Sequence, residues 1–213
     1  MRQLVYIPIL HSADDLGTLA ESVKTTYAKV LGEDAWQKRE QFIERFWKHV
    51  RKETSALIED VHRTRIYQDG LPVCGFEETI VRELAKTGSA NHQLIAELLD
   101  RGAVLEGTEN PQLLIEEYTL QKQLASSPAN VSLQKERNRR ADRILAARDA
   151  FIAERIDKTL KPGETGLLFL GALHRIEDVL PADIEILGNR VDDSGRDAIG
   201  KGAIGKTIRR PRP

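Results

Sequence analysis

The chain has 213 residues, 31% of them charged, and a formal net charge of -1, so no overall field draws it to nucleic acid or a membrane. Its one cysteine, Cys74, excludes an intrachain disulfide, and no apolar stretch approaches the ~20 residues of a transmembrane helix. The apolar run in the first ten residues is too short for a secretion signal, so a cytoplasmic protein with no membrane partner is expected.

The first predicted element is a strand over residues 4–10, because a continuous apolar run is typical of a strand buried on both faces. Pro8 cannot donate a ladder hydrogen bond, which predicts an edge position, a bulge, or a strand that ends near Ile7. Helices are predicted next, over about 12–30 and 34–61, where apolar residues recur at helical spacing.

The rest of the chain alternates short apolar segments with helical patterns. Strands are predicted over 65–69, 103–106, 165–171 and 184–187, and helices around 76–85, 93–99, 112–120 and 131–160. The alternation indicates an α/β fold: a small, mostly parallel sheet with flanking helices and a long helical insertion or arm.

The two longest predicted helices, over 34–61 and 131–160, exceed what a crossover between strands requires. They are interpreted as an arm or cap, or as the interface of a homo-oligomer. On this interpretation four apolar residues are buried, either between the two helices or across a dimer: Trp47, Val50, Ile152 and Ile156.

Residues 1–188 are predicted to form one α/β domain, followed by a basic, glycine-rich tail over 189–213 with seven Lys/Arg and three Asp. Such a segment is expected to be flexible, a weak anion or nucleic-acid contact being the alternative. Gly200 to Thr207 matches the phosphate-binding loop pattern. No helix can follow Thr207 to present its amides to phosphate, so a nucleotide site is rejected.

Chemically reactive side chains follow the predicted strands. His11 follows the first strand, Asp69 ends the second, Glu106 and Glu109 lie at the end of the third, and His174 follows the fourth. Because the carboxyl ends of parallel strands meet at one edge of a sheet, these residues are expected to converge there.

Two histidines and one carboxylate can hold a divalent ion such as Zn²⁺, Mn²⁺ or Fe²⁺ and activate a water. The predicted metal ligands are His11, His174 and Glu106. Glu109 is the predicted general base, the two glutamates can exchange roles, and Asp69 can join them.

Three further residues are candidates for substrate binding: Asp69, and Arg140 and Arg143 if the 131–160 helix covers the site. Cys74 is interpreted as a small buried hydrophobe, and His92 as structural.

The segment Gly171-Ala-Leu-His174 after an apolar strand resembles the second G-x-x-H motif of the TraB/TIKI and erythromycin-esterase/ChaN-like superfamily. His11 occupies the place of the first such motif, although Pro8 stands where glycine is expected, and Glu106 resembles the acidic residue of a middle strand. The resemblance implies a metal-dependent hydrolase or protease, or a relative of the haem-binding members.

The expected function is therefore metal-assisted hydrolysis of a small-molecule or peptide substrate at the carboxyl edge of the sheet. The alternative is a non-catalytic ligand-binding or assembly protein that uses its long helices as an interface.

Overall fold

A computed structural model of the chain describes residues 2–12, 20–126 and 131–188. The strands within these ranges are β1 (Arg2–Pro8), β2 (Thr64–Gln68), β3 (Val104–Glu106), β4 (Thr165–Leu170) and β5 (Ile184–Leu187). They form one sheet in the order β3-β2-β4-β1-β5, and every pairing is parallel. The predicted α/β class is confirmed, and the predicted tail over 189–213 lies outside the described residues.

The described helices are α1 (Ala20–Leu31), α2 (Glu33–Leu57), α3 (Glu77–Lys86), α4 (Ala90–Asp100), α5 (Pro111–Ser126) and α6 (Val131–Thr159). Two single turns of 3-10 helix cover Val61–Arg63 and Ile176–Asp178. The prediction that α2 continues to residue 61 is wrong, because Ile58 is extended and Asp60 caps the next turn. No helix among the described residues is long and apolar enough to cross a membrane.

The sheet is covered on both faces by helices. Alternate residues of β1, such as Val5 and Ile7, face a core that includes Trp47 and Val50 of α2 together with side chains of α3 and α4. The intervening residues of β1 and β4 face the second core, which contains α6 residues Ile152 and Ile156. The long helices α2 and α6 therefore lie on opposite faces, and the expectation that their apolar stripes pair with each other or need a dimer is wrong. Each stripe is buried against the sheet.

Pro8 is accommodated because β1 ends there. The backbone nitrogen of Ile9 donates to the carbonyl of Leu170 on β4, so the nitrogen of Pro8 points toward the opposite neighbour, β5. That strand has already ended, since its last residue pairs with Val5. The missing donor therefore costs no ladder hydrogen bond although β1 is a central strand.

The topology creates a crevice between the neighbouring strands β2 and β4. The connection after β2 runs through α3 and α4 to β3 at one edge of the sheet, whereas the connection after β4 runs to β5 at the other edge. Open parallel sheets bind their ligands where the connections diverge in this way, outside the carboxyl ends of the strands.

Helix α6 is much longer than the sheet that it covers. Its 29 residues extend for about 43 Å. Its C-terminal half covers the sheet: Arg148 reaches the carboxyl edge, and the carbonyl of Asp157 accepts from Arg2 at the amino edge. The preceding half extends beyond the carboxyl edge, where α5 packs against it. The arm therefore consists of α6 and α5, whereas the predicted arm paired the 131–160 helix with the 34–61 helix.

Substitutions in α5 and α6 test which face is buried. We expect Ile156→Ala to lower the free energy of unfolding by about 2–5 kcal/mol, because Ile156 is fully buried and a cavity remains. The matched control is Ile115→Ala, whose side chain is 59% exposed, and its cost is expected to stay within about 0.5 kcal/mol. Urea unfolding measures both; equal losses would contradict the assignment of α6 to the core.

Candidate functional site

The carboxyl edge of the sheet contains a buried arginine surrounded by carboxylates. Nη2 of Arg148 donates to Asp69 Oδ1 and Glu109 Oε1, both at 2.6 Å, and Nε donates to Glu109 Oε2 at 3.2 Å. Its Nη1 donates to Glu117 Oε2 on α5, also at 2.6 Å. The guanidinium of Arg148 on α6 thus binds three parts of the chain: the segment after β2, the segment after β3, and helix α5.

The backbone brings Asp69 and Glu109 together. The nitrogen of Asp69 donates to the carbonyl of Phe169 on β4, which continues the ladder by one residue. The nitrogen of Glu109 donates to the carbonyl of Leu71, and its carbonyl accepts from Val73. The segments after β2 and β3 therefore run side by side, and their acidic side chains reach the same arginine.

His174 lies at the end of the Gly171 turn and is fixed through both ring nitrogens. Its Nδ1 is 2.5 Å from Asp149 Oδ1, whose other oxygen accepts from the backbone nitrogen of Arg175. Its Nε2 is 3.5 Å from Asp69 Oδ2, which also accepts from the backbone nitrogen of Gly171. The imidazole therefore lies between two carboxylates at the crevice between β2 and β4.

The surroundings shift the protonation of these groups. Burial alone would lower the pKa of His174, but hydrogen bonds to Asp149 and Asp69 outweigh it and raise the pKa to about 9. Burial acts to raise the pKa of Asp69, but His174 and Arg148 hold it well below its usual range. Burial raises the pKa of Glu109, although Arg148 opposes that shift. At neutral pH His174 is therefore a cation.

Three of these residues can provide ligands for one metal ion. Asp69, Glu109 and His174 each offer a ligand atom, and the three atoms lie within 4.8 Å of one another. The 3.5 Å between Nε2 and Oδ2 fits two ligands of one ion, because bonds of about 2.1 Å in a tetrahedron place neighbouring ligands about 3.4 Å apart. Glu109 fits less directly, because Arg148 binds both of its oxygens.

A cleft of about 310 Å³ opens beside this network. Three charged residues line it: Asp69, Glu117 and Arg148. The remainder of its wall consists of two histidines, two amides, a glycine and an apolar set: His11, His92, Gln68, Asn91, Gly70, Ile9, Leu71, Ile80, Leu84 and Leu114. A ligand in the cleft would therefore contact Asp69 directly, whereas His174 lies behind the wall.

The structure brings together only part of the predicted metal site. His11 is exposed at the cleft, and it is not part of the metal-ligand group. Its backbone carbonyl accepts a hydrogen bond from Arg39 Nη2 at 2.6 Å. Glu106 lies under α6, where Arg65 and Arg155 bind it. His174 therefore meets Asp69 and Glu109 in place of the expected His11 and Glu106.

The structure also places the other predicted residues. Glu109 belongs to the cluster, but its side chain is fully buried, which makes it a poor general base for a water in the cleft. Arg140 and Arg143 are exposed on the projecting half of α6, and neither lines the cleft. The interpretation of Cys74 as buried is wrong: it is exposed. His92 bonds Ser89, as a structural histidine would.

Sequence reasoning missed Arg148, Asp149 and Glu117. One signal was present in the sequence, because Arg148 precedes Ile152 and Ile156 by four and eight residues. It therefore falls on the apolar stripe of α6, where an arginine is out of place unless it has buried partners.

Comparisons with known proteins give no relative. No protein family, no curated protein and no solved structure matches the chain.

Removal of the arginine should leave buried carboxylates without a counter-ion. We expect Arg148→Met to lower the free energy of unfolding by about 3–5 kcal/mol at pH 7. The loss should shrink toward pH 5, because burial already raises the pKa of Glu109 and protonation removes its charge. Urea unfolding at both pH values measures this, and Arg143→Met, which replaces an exposed arginine of the same helix, is the control.

A double-mutant cycle isolates the ion pair. Adding Glu109→Gln to Arg148→Met should restore part of the stability, because the glutamine carries no charge. Additive losses would show that the two side chains do not interact.

The raised pKa of His174 makes the free energy of unfolding depend on pH. Because its folded pKa of about 9 exceeds its unfolded value, the ionised ring stabilises the protein fully below about pH 6.5. That contribution, about 3 kcal/mol at most, is lost as pH rises through 9. We expect the difference in unfolding free energy between wild type and His174→Gln, measured in a chelator, to fall between pH 6.5 and 9. An NMR titration of the ring with its midpoint below 7 would contradict the account.

Proposed function

We propose that the protein is a hydrolase assisted by a divalent metal ion, with Asp69, Glu109 and His174 as the protein ligands. The observation that carries the proposal is the position of the His174 ring. Its Nδ1 is bound by Asp149, and its Nε2 faces Asp69 at the crevice between β2 and β4. A metal-ligating histidine commonly has one nitrogen oriented by a carboxylate while the other binds the ion.

The charge of the network supports a cation at this position. Among the described residues, four carboxylates, from Asp69, Glu109, Glu117 and Asp149, are matched by two cationic side chains, Arg148 and His174. Zn²⁺, Mn²⁺ and Fe²⁺ all suit a ligand set of one imidazole and two carboxylates. Such an ion would supply Lewis acidity, which polarises a carbonyl and lowers the pKa of water.

Each neighbouring side chain has a separate role in the proposal. Asp149 orients the His174 ring, and Arg148 holds Asp69 and Glu109 in place. Glu117 replaces Glu109 as the proton acceptor, because it lines the cleft with 31% of its side chain exposed. His11 lies where a bound substrate would contact it.

The resemblance to the TraB/TIKI and erythromycin-esterase/ChaN-like superfamily remains part of this proposal. Of the residues that carry the resemblance, His174 keeps its role as a ligand. Asp69 and Glu109 are the proposed carboxylate ligands in place of Glu106, and His11 is proposed to contact the substrate.

Metal titration of single variants tests the proposal. We expect His174→Ala and Asp69→Asn to weaken Zn²⁺ or Mn²⁺ binding by at least about a hundredfold, and Asp149→Asn by about tenfold or more. His11→Ala should bind metal as wild type does, like the control His62→Ala, since neither residue belongs to the cluster. Isothermal titration calorimetry at pH 8 measures the affinities.

Glu117→Gln should retain metal affinity and lose hydrolytic activity, because the amide cannot accept the proton. Wild-type protein that takes up no metal would contradict the proposal and favour the ligand-binding alternative. Metal binding that depends on His11 but not on His174 would also contradict it.

A further inference from the structure

The cleft beside the Arg148 network has a wall whose chemistry selects a ligand class. Its lining combines two carboxylates and two amides with five aliphatic side chains: Ile9, Leu71, Ile80, Leu84 and Leu114. Which ligand fits depends on the net charge of the lining, on the orientation of its amides and on the apolar area.

The charged residues of the cleft disfavour anions. Among the described residues that line the cleft, Arg148 is the only Lys or Arg, and it already donates to Asp69, Glu109 and Glu117. Its side chain is only 6% exposed, so little of the guanidinium can reach a ligand. A phosphate or carboxylate entering the cleft would meet the oxygens of Asp69 and Glu117, and like charges repel strongly where water is excluded.

The amide pair on the wall also presents an acceptor. Nε2 of Gln68 donates to the backbone carbonyl of Asp69, which fixes the orientation of the Gln68 amide. Gln68 Oε1 must then accept from Asn91 Nδ2, at 3.0 Å, which leaves Asn91 Oδ1 as the acceptor of the pair that has no protein donor. Among the described residues no donor reaches this buried oxygen. A buried acceptor without a donor is costly, so a ligand that donates to it gains affinity.

We propose that the cleft binds an apolar molecule that carries an N–H donor, as an amide or an ammonium, and that it rejects phosphate esters and carboxylates. The apolar group contacts Ile80, Leu84 and Leu114, and the N–H group faces Asn91 and Glu117. If the proposed hydrolase is correct, its substrate is an amide or a molecule that bears an amine, and this part of the inference rests on the proposed function. Binding of the N–H compound to the cleft is tested separately.

Four small aromatic compounds test the preference: phenylacetamide, benzylamine, phenylacetate and phenyl phosphate. They share an aromatic ring and differ in the polar group. Titrations of the full chain are followed by amide chemical shifts in NMR, with EDTA present because a carboxylate would otherwise bind any metal ion directly. We expect phenylacetamide or benzylamine to bind at least about tenfold more tightly than both anions, with shifts at the cleft residues.

Two pairs of variants locate the binding. Glu117→Gln should weaken benzylamine about fivefold or more and leave phenylacetamide unchanged, because only the ammonium needs the carboxylate. The control Glu116→Gln replaces an exposed neighbour on the same helix that does not line the cleft. If Glu117→Gln does not fold, Leu84→Ala serves instead, because it shortens the apolar wall and should weaken both compounds, whereas Leu173→Ala outside the cleft should not.

The outcomes separate this inference from the proposed hydrolase. Binding of the amide alone identifies Asn91 as the determinant, binding of the amine alone identifies Glu117, and either result supports the inference. Phenylacetate or phenyl phosphate binding as tightly as the N–H compounds, or an absence of binding by both N–H compounds, overturns it. Those results leave the metal proposal intact, and a failed metal titration leaves the NMR result intact.

Discussion

The buried guanidinium of Arg148 is the interaction on which the carboxyl edge depends. An arginine that is 6% exposed must have its charge matched, and here Asp69, Glu109 and Glu117 match it. The next residue along α6, Asp149, binds His174 and the backbone of Arg175. Two consecutive helical residues thus connect α6 to the segments that follow β2, β3 and β4. The long helix covers one face of the sheet and, through this pair, also fixes the side chains at the crevice.

The same network determines what chemistry the crevice can support. Asp69 and Asp149 are already held by hydrogen bonds to the backbone nitrogens of Gly171 and Arg175, and this preorganisation favours binding of a cation beside them. A metal ion, however, must compete with a proton on His174, whose pKa is about 9, and with Arg148 for Glu109. Metal affinity should therefore rise with pH up to about 9, because each bound ion displaces a proton. On the proposed function, the closed ion network and a metal-bound site would be two states of one set of side chains.

Much of the fold could be predicted from the sequence because strands that are buried on both faces are continuously apolar. The segments in β1 and β4 therefore stood out, and the parallel order placed Asp69, Glu109 and His174 at one edge. The ligand set could not be predicted, because it depends on the direction in which each side chain points. Glu106 is still within β3 and turns under α6 toward Arg65, whereas Glu109, three residues later, turns toward Arg148. The position of His11 is similarly fixed by long-range contacts, since Arg39 of α2 binds its carbonyl. An arginine within the apolar stripe of α6 was the local clue to the buried network.

Anomalous diffraction from crystals grown or soaked with Zn²⁺ or Mn²⁺ near pH 8 is the most direct test of the metal site. The account predicts one strong peak within about 2–2.3 Å of both His174 Nε2 and Asp69 Oδ2, with Asp149 still bound to Nδ1 and with Glu109 turned at least partly from Arg148 toward the ion. A crystal that contains metal elsewhere but shows no peak between these two atoms, with the bonds from Arg148 to Glu109 unchanged, would contradict it. So would a peak bound by His11 and Glu106.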